Sequence, residues 1–288
     1  MTLNLSKHHA LSLLSLLLGL LYSYYIIYWH EVYVEMAVEA ISRMGLDGFN
    51  NSVMKTVLGL CGLGIVIITW AIWRQLQFNR RPRTILLGLT CFALLVAVWF
   101  ITHTVFLLEM NVELIHVPMY IALTFFLFFA FRHWTMVVLV ALPIMLYDEW
   151  YQYMVLHAHY ETYYSFNDVM CDVLGLATGL LLLSVFGFYP KHRKLNLLEW
   201  GYVVAVLCCG LYLFWLGKNG FLVGYESERL MHTRFVFNQL LDPEKLWQIH
   251  SYTFKEYVVL KPKMGASIVL MTSGLLCLTG LFFRERGR

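Results

Sequence analysis

Charged residues are scarce in this chain. They make up 14% of its 288 residues, whereas an ordinary soluble domain carries about 25%. Hydrophobic residues make up 60%, which excludes a soluble globular protein and a disordered chain. The net charge is only +3, and the cationic residues stand in short runs between apolar stretches rather than in a basic nucleic-acid-binding surface. The composition therefore predicts an integral membrane protein with no nucleic-acid partner.

Motifs that hold common cofactors or metals are also lacking. The six cysteines form no CxxC pair and no haem-attachment CxxCH, and the chain has no phosphate-cradling glycine loop and no HExxH. The sequence therefore assigns no cofactor and no metal. Two interpretations of His157 and His159 stay open. They could lie in a solvated turn at the membrane interface, or they could supply imidazole ligands to a metal together with Glu149, Asp168, Asp172 or His116.

Eight apolar segments are long enough to cross a bilayer as helices. A hydrocarbon core of about 30 Å needs roughly 20 apolar residues at about 1.5 Å each. The segments run over 10–29, 53–73, 84–108, 117–131, 135–152, 168–189, 197–217 and 264–283. The fourth and fifth are separated only by residues 132–134, which predicts a tight helical hairpin. The predicted fold class is an all-α, polytopic membrane bundle of about eight transmembrane helices.

Basic and acidic residues fall in alternate connections between these segments. The basic ones precede the first segment or follow the second, fourth, sixth and eighth: Lys7, Arg74, Arg80, Arg81, Arg83, Arg132, Lys191, Arg193, Lys194, Arg284, Arg286 and Arg288. The odd-numbered short connections carry acidic residues instead. Since cytoplasmic connections are enriched in Lys and Arg, this alternation predicts eight spans with both termini in the cytoplasm.

Two further elements are predicted on the outer side. Val34, Val38 and Ile41 share one helical face, and Gly45 is placed to end the helix, which predicts an amphipathic helix at the membrane surface. The one long connection, residues 218–263, is rich in aromatic residues and too long to be idle in a compact domain. We expect it either to fold over the outer mouth of the bundle or to dock a protein partner.

Polar residues gather at the outer ends of the fifth and sixth segments. Asp148, Glu149 and Gln152 end the fifth segment at spacings that let all three face one space. The sixth begins with a stripe at spacings of 4, 3 and 4, formed by Asp168, Asp172, Gly175 and Gly179. Glycines on one face let a neighbouring helix approach closely, and we expect that neighbour to be the fifth segment. The carboxyl groups brought together in this way would supply an acid and a base at neutral pH.

Three segments carry a family resemblance: His116-Val-Pro-Met-Tyr120, Asp148-Glu149-Trp-Tyr-Gln152, and the run from Ser165 through Asp168 and Asp172 to Gly175 and Gly179. They resemble the H-x-x-x-Y, E-x-x-Q and S-x-x-D-x-x-x-N-x-x-G-x-x-x-G motifs of the VanZ-like family, bacterial membrane proteins named for a teicoplanin-resistance determinant. The resemblance covers about residues 85–190. It departs from the family at Asp172, which replaces an Asn, and at residues 153–164, which lack the family's Arg.

The resemblance implies a division of the chain into three parts. Residues 1–84 would hold two transmembrane helices and the outer amphipathic helix, and residues 85–190 would form the VanZ-like four-helix core. Residues 191–288 would add two more transmembrane helices and the long outer loop. The family also implies a location in the bacterial cytoplasmic (inner) membrane, among membrane lipids and cell-envelope molecules.

The predicted function is to bind or modify a lipid-linked or cell-envelope molecule at the outer leaflet, in an outer-facing polar cavity. The predicted catalytic residues are Glu149, Asp168 and His116, and the predicted substrate-binding residues are Gln152, Tyr120, Asp172 and Asp148. Two alternatives stay open. The same residues also suit a hydrogen-bonded structural network, and the chain also suits a non-catalytic subunit of a larger membrane complex, docked through residues 218–263.

Overall fold

A computed structural model describes residues 7–77, 83–106, 111–159, 162–190, 194–231, 234–239, 249–251 and 255–283. Nine α-helices lie within these ranges: α1 (Lys7–Tyr28), α2 (His30–Met44), α3 (Leu46–Gln77), α4 (Arg83–Phe106), α5 (His116–Phe131), α6 (Trp134–Tyr151), α7 (Phe166–Val185), α8 (Leu197–Lys218) and α9 (Pro262–Phe282). A 3-10 turn (Asn111–Ile115) precedes α5, and a π-helical turn (Gln152–Leu156) continues α6. Each of the eight predicted apolar segments is helical over most of its described length, which confirms an all-helical bundle.

Six of these helices are long and apolar enough to cross a membrane. Their apolar stretches are Ala10–Tyr28, Leu46–Arg74, Glu113–Phe131, Phe166–Val185, Leu197–Lys218 and Pro262–Leu281. These six indicate a multi-pass membrane protein. The other two predicted spans, α4 and α6, are helical but stay predictions as membrane crossings. In α6 the last turn contains Asp148 and Glu149, which lower its apolar character.

The predicted amphipathic helix exists as α2. It ends at Gly45, whose φ is +73° and whose backbone N–H donates to the Ile41 carbonyl at 2.8 Å. Glycine adopts this left-handed conformation without the penalty that a Cβ would bring. The chain can therefore turn at once into α3, which begins at Leu46.

The centre of the bundle is α7, in which 83% of the apolar stretch is buried. Helices α4, α5, α6 and α9 all pack against it. By contrast only 6% of the apolar stretch is buried in α3 and in α8. Because their surfaces are apolar yet uncovered within the described residues, α3 and α8 are the helices suited to face lipid.

The connection between α5 and α6 is the predicted tight hairpin. Arg132 adopts a left-handed conformation, with φ +53°, and its N–H donates to the Phe128 carbonyl at 2.7 Å. Its guanidinium carbon lies 4.7 Å from the ring centre of Phe129, a cation–π contact. His133 is extended, and α6 begins at Trp134.

The glycine stripe of α7 faces α5, so the prediction that it would face the fifth segment, α6, is wrong. A Cβ on Gly175 would lie 2.6 Å from the Val117 carbonyl oxygen, and one on Gly179 would lie 2.8 Å from the Cβ of Thr124. Thr124 turns its hydroxyl onto the Tyr120 carbonyl of its own helix, at 2.6 Å. The small side chain of Thr124, whose hydroxyl is already hydrogen-bonded within α5, therefore lies at the closest approach of α5 to α7. Helix α6 packs against a different face of α7.

Two glycines of α9 close the bundle in the same way. A Cβ on Gly265 would lie 2.4 Å from side-chain atoms of Phe166, and one on Gly280 would lie 2.6 Å from the Cβ of Trp134. Phe166 begins α7 and Trp134 begins α6. The two contacts therefore hold α9 against the beginnings of both helices.

A proline within α6 explains how α8 is attached. Pro143 has no N–H to donate to the Leu139 carbonyl one turn earlier. The Tyr202 hydroxyl on α8 donates to that carbonyl instead, at 3.0 Å. One side-chain hydrogen bond thus takes the place of the missing backbone bond and joins a largely uncovered helix to the core.

Tyr202→Phe should therefore weaken the protein slightly. Loss of the hydroxyl leaves the Leu139 carbonyl without its donor, which costs about 1 kcal/mol and lowers the midpoint of thermal unfolding by about 2 °C. Thermal unfolding in a mild detergent measures the shift. Tyr212→Phe is the matched control, because Tyr212 lies exposed on the same helix. An equal shift in both variants would contradict the assignment.

The long connection between α8 and α9 contains short strands that the sequence did not predict. They are β1 (Leu222–Val223), β2 (Leu230–Met231), β3 (Arg234–Val236), β4 (Ile249–Ser251) and β5 (Lys255–Tyr257). The first three form a sheet in the order β1-β3-β2, and β4 pairs with β5 in antiparallel fashion. Strands of two or three residues are too short to show an alternating pattern.

This connection packs onto the segment between α6 and α7. The backbone N–H of Tyr164 donates to the Phe237 carbonyl at 2.8 Å, and that of Gln239 donates to the Thr162 carbonyl at 2.8 Å. Tyr163 and Asn238 form an isolated antiparallel bridge. Of the two roles expected for this connection, folding over the end of the bundle is therefore visible in the structure.

Candidate functional site

The polar ends of α5, α6 and α7 meet in one buried group of side chains. His116 Nδ1 lies 2.8 Å from Asp172 Oδ1, and the Tyr120 hydroxyl donates to Asp148 Oδ2 at 3.0 Å. The Gln152 amide nitrogen donates to Asp148 Oδ1 at 3.3 Å. None of these five side chains is more than 4% exposed. We call His116, Tyr120, Asp148, Gln152 and Asp172 the polar cluster.

Three members of the polar cluster converge especially closely. One nitrogen of His116 and one oxygen each of Asp148 and Asp172 all lie within 4.8 Å of one another. His116 is the first residue of α5, Asp148 lies in the last turn of α6, and Asp172 lies in the second turn of α7. The acidic ends of α6 and α7 therefore meet, as the sequence predicts.

The π-helical turn at the end of α6 shapes this group. The backbone N–H of His157 donates to the Gln152 carbonyl, five residues earlier, at 2.8 Å, and this wider π-helical spacing replaces the α-helical one at that point. Gln152 and Tyr153 are both buried there. Gln152 lies one turn beyond Asp148, so its amide reaches back to the carboxylate. Such π-helical turns are frequent at functional sites.

Glu149 has a positioning role in the structure. Its Oε1 accepts a hydrogen bond from the Ser165 backbone N–H at 2.5 Å. The Ser165 hydroxyl in turn accepts from the Asp168 N–H at 3.2 Å, which caps the start of α7. Glu149 thus ties the end of α6 to the beginning of α7. The catalytic role predicted for Glu149 stays a prediction, and the structure places Asp148, rather than Glu149, beside His116.

Asp168 lies beside the polar cluster, one turn before Asp172 on α7. Its charge interacts with His116. Its Oδ1 atom is buried and has no hydrogen-bond partner within the described part of the chain. Asp168 therefore has an acceptor oxygen that the described structure does not use.

Two histidines from other elements approach the polar cluster. The ring centre of His30, at the start of α2, lies 5.5 Å from that of His116 and 6.1 Å from that of His157. Burial lowers the pKa of His30 to about 3, and the nearby His116 and His157 lower it further. Burial also lowers the pKa of His157. His159, the other histidine of the open metal hypothesis, is exposed.

Sequence reasoning missed His30 as part of this site. A single histidine at a helix start carries no spacing signal that links it to residues 86 or more positions away. Its only indication was its predicted place on the outer side. In the structure His30 is 6% exposed, and its Nδ1 has no hydrogen-bond partner among the residues described.

An open groove lies next to the polar cluster. It has a volume of about 340 Å³ and is lined by Glu31, Val34, Glu35, Val38, Glu39, Leu156 and His157. From the groove, His157, His30 and His116 follow one another inward to Asp172. The described structure thus has a buried polar cluster and an open groove, with the side chains of His157 and His30 between them.

The long connection packs against residues that neighbour the polar cluster along the chain. The Tyr153 hydroxyl donates to the Val236 carbonyl of β3 at 3.1 Å, and the Arg229 guanidinium donates to the Tyr153 carbonyl. Asn167, at the start of α7, donates to the Val258 carbonyl and accepts from the Leu260 N–H, both at 3.0 Å. These hydrogen bonds join described residues of the long connection to Tyr153 and Asn167, on either side of the α6–α7 segment.

Known proteins give no direct guide to this arrangement. No protein-family model, no curated protein and no solved structure matches the chain. The resemblance of residues 85–190 to the VanZ-like family therefore stays a prediction.

Proposed function

We propose that this chain is a VanZ-like protein of the bacterial inner membrane that binds and modifies a lipid-linked or cell-envelope molecule at the outer leaflet. The observation that carries the proposal is the convergence of His116, Asp148 and Asp172 within 4.8 Å in the interior of an apolar bundle. Ionisable groups at such depth are costly and mark functional sites by default.

The proposed topology has eight crossings, with both termini in the cytoplasm. In this arrangement α4 and α6 also span the membrane. The polar cluster, α2 and residues 218–263 then all lie on the outer side, opposite the basic connections. The support for this topology is the separation of basic from acidic connections along the sequence.

The proposed chemistry is general acid–base catalysis. Asp168 is the proton acceptor, because its Oδ1 is buried without a partner in the described chain and its charge acts on His116. His116, held by Asp172, supplies a positive charge or a proton to the substrate. Asp148, oriented by Tyr120 and Gln152, contacts the substrate, and Glu149 holds α6 and α7 in register.

The groove beside α2 suits a substrate with an apolar and a polar part. Its wall combines Val34, Val38 and Leu156 with the carboxylates of α2. An amphipathic helix lies in the interface between head groups and acyl chains. A groove along such a helix would accept a lipid-linked molecule from the outer leaflet and direct its polar part toward His157.

A comparison of lipid extracts tests this proposal. A deletion strain of the host bacterium is complemented with the wild type, with Asp168→Asn or with Asp47→Asn, and lipid-linked envelope precursors are quantified by mass spectrometry. We expect one precursor to accumulate in the deletion strain and to return to normal with the wild type. Asp168→Asn should leave it accumulated, because an amide cannot accept the proton.

Asp47→Asn is the matched control, since Asp47 is an exposed acid at the start of α3. It should restore the normal extract, with membrane levels of every variant confirmed by immunoblot. Full restoration by Asp168→Asn, or identical extracts with and without the gene, would contradict the proposed function.

The closed state of the polar cluster favours a second candidate, a non-catalytic subunit of a larger membrane complex. Residues 218–231 and 234–239 pack over the α6–α7 segment through Arg229 and Tyr164, as a structural cover would. Purification in a mild detergent separates the candidates. If the protein purifies alone from a strain whose lipid extract it has restored, the subunit role is excluded. Other proteins that copurify in a fixed stoichiometry would support that role.

A further inference from the structure

The polar cluster holds more acidic groups than its histidine can balance. The donors to Asp148 within the described residues are Tyr120 and Gln152, both uncharged, and His116 is the one cationic donor to Asp172. Asp168 adds a third carboxyl group nearby. Carboxylates in an apolar interior are costly unless a cation compensates them. A cation with more than one positive charge would balance this group.

The donor atoms have the geometry that a metal ion requires. First-row transition metals bind nitrogen and oxygen ligands at about 2.0–2.2 Å, so two ligands of one ion lie at most about 4.4 Å apart. The three donor atoms of His116, Asp148 and Asp172 already lie within 4.8 Å. Tetrahedral coordination places two such ligands about 3.4 Å apart, so side-chain rotations that move the donor atoms by roughly an ångström would complete the coordination. One imidazole with two carboxylates suits zinc, iron or manganese, whereas calcium and magnesium prefer oxygen ligands alone.

His30 supplies an independent observation that points to the same ion. Its side chain is 94% buried, as its 6% exposure implies, yet its Nδ1 has no hydrogen-bond partner in the described structure. Its ring centre lies 5.5 Å from that of His116. Two imidazoles on one tetrahedral ion, at metal–nitrogen distances of about 2.0–2.1 Å, have ring centres about 5 Å apart. His30 lies outside the group of donors that are within 4.8 Å of one another, so its ring must turn toward His116 before its unpaired nitrogen joins a shared ion.

We propose that His116, Asp148 and Asp172 bind one divalent transition-metal ion, with His30 as the fourth ligand. Tyr120 and Gln152 orient the Asp148 carboxylate, as hydrogen-bonding partners of metal ligands commonly do. This site goes beyond the proposed function. With the ion bound, His116 is a neutral ligand, so the ion rather than the imidazole would supply the positive charge that the proposed function places there. The ion would bind whether or not a substrate is converted.

The groove along α2 provides an access route for the ion. Glu31, Glu35 and Glu39 line it and raise the local concentration of cations. His157 stands between this groove and His30, with the two rings 6.1 Å apart. An ion drawn to the acidic face of α2 would thus meet imidazole groups on its way to the polar cluster.

Metal analysis of the full-length protein tests the site. The chain is purified in a mild detergent, stripped with a chelator, reloaded with zinc and freed of excess metal before elemental analysis. We expect one zinc per wild-type chain. His116→Gln, Asp172→Asn and His30→Gln should each weaken zinc binding at least tenfold in a competition titration, because each removes one ligand.

His159→Gln and Asp47→Asn are the matched controls, because both residues are exposed. They should bind zinc as the wild type does. Equal binding by the wild type and Asp172→Asn, or loss of zinc in His159→Gln, would overturn the proposal. So would a wild-type chain that takes up no zinc.

Cobalt spectroscopy needs only the wild type and so does not depend on variants that fold. Cobalt at a nitrogen and oxygen site gives visible d–d bands without the intense near-ultraviolet band of a thiolate ligand. Such a spectrum, abolished by added zinc, is the expected result. A thiolate band would place the metal at a cysteine and overturn the proposal.

The proposed lipid-modifying function and the proposed metal site can be refuted independently of each other. Asp168→Asn should retain zinc while it loses the lipid conversion, because Asp168 is a proton acceptor and not one of the four ligands. Normal zinc binding with unchanged lipid extracts would refute only the proposed function. A metal-free wild type that still restores the lipid extract would refute only the metal site.

Discussion

Replacing His116 with leucine destabilises the protein by about 3–5 kcal/mol, the usual result when one partner of a buried ion pair is removed. His116 is the hydrogen-bonding partner of Asp172 at 2.8 Å. The side chain of His116 is 4% exposed and that of Asp172 is 2% exposed, so both are buried. Without His116, the carboxylate stays in the apolar interior with no donor among the described residues. Thermal unfolding in a mild detergent with chelator measures the loss without a contribution from metal.

A double-mutant cycle separates this coupling from a simple packing defect. Asp172→Leu alone is also costly, because His116 then loses its partner. With both residues replaced by leucine, the combined loss should be smaller than the sum of the two single losses by at least about 1 kcal/mol. Strictly additive losses would show that His116 and Asp172 do not act as a pair. His159→Leu, at an exposed position, should leave the midpoint unchanged.

Replacing Gly175 with alanine separates α7 from α5. The added Cβ would lie 2.6 Å from the Val117 carbonyl oxygen and 2.9 Å from the Cβ of Tyr120. A backbone oxygen in a packed helix cannot turn aside, so one whole helix must move. Overpacking of this kind costs about 1–3 kcal/mol and sometimes more. Because Tyr120 also donates to Asp148, the same movement should weaken zinc binding.

Gly210→Ala is the matched control for this substitution. Gly210 lies on α8, where an added Cβ would meet nothing within 4 Å. Alanine is the better helix former by about 1 kcal/mol, so this variant should be as stable as the wild type or slightly more stable. If Gly175→Ala and Gly210→Ala unfold at the same temperature, the close approach of α7 to α5 is refuted.

Most helix bounds could be predicted from the sequence to within about two residues, whereas α3 (Leu46–Gln77) extends well beyond the predicted segment 53–73 at both ends. The predicted segment 197–217 is α8, Leu197–Lys218, and the predicted segment 135–152 is α6, Trp134–Tyr151. A continuous apolar run ends where polar residues resume, so composition alone sets the bounds. Gly45 likewise marked the end of α2, because its left-handed φ excludes most other residues.

The partner of each helix face could not be predicted. The spacing of Gly175 and Gly179 shows which face of α7 allows another helix to approach closely. No feature of the sequence identifies which helix packs against that face. The pair Asp148 and Glu149 shows the same limit. Neighbouring residues on a helix point about 100° apart, so only one of them can face His116. The packing of α6 against α5 and α7 decides that it is Asp148.

Contacts between distant segments could not be predicted either. His30 reaches the polar cluster because α1 places the start of α2 beside the end of α6, where Tyr28 contacts Tyr147 and Tyr151. No periodic pattern encodes such a meeting. The zinc ligand set therefore becomes visible only when the helices are assembled.

The most direct test of the account is the distance between the His116 imidazole and the Asp172 carboxylate in a bilayer. Solid-state NMR of metal-free protein labelled with ¹⁵N-histidine and ¹³C-aspartate detects such a contact through its dipolar coupling. The account predicts a strong coupling that matches the 2.8 Å contact and disappears in His116→Gln and in Asp172→Asn, but persists in His159→Gln. No coupling in the wild type, or a coupling that survives both substitutions, would contradict it.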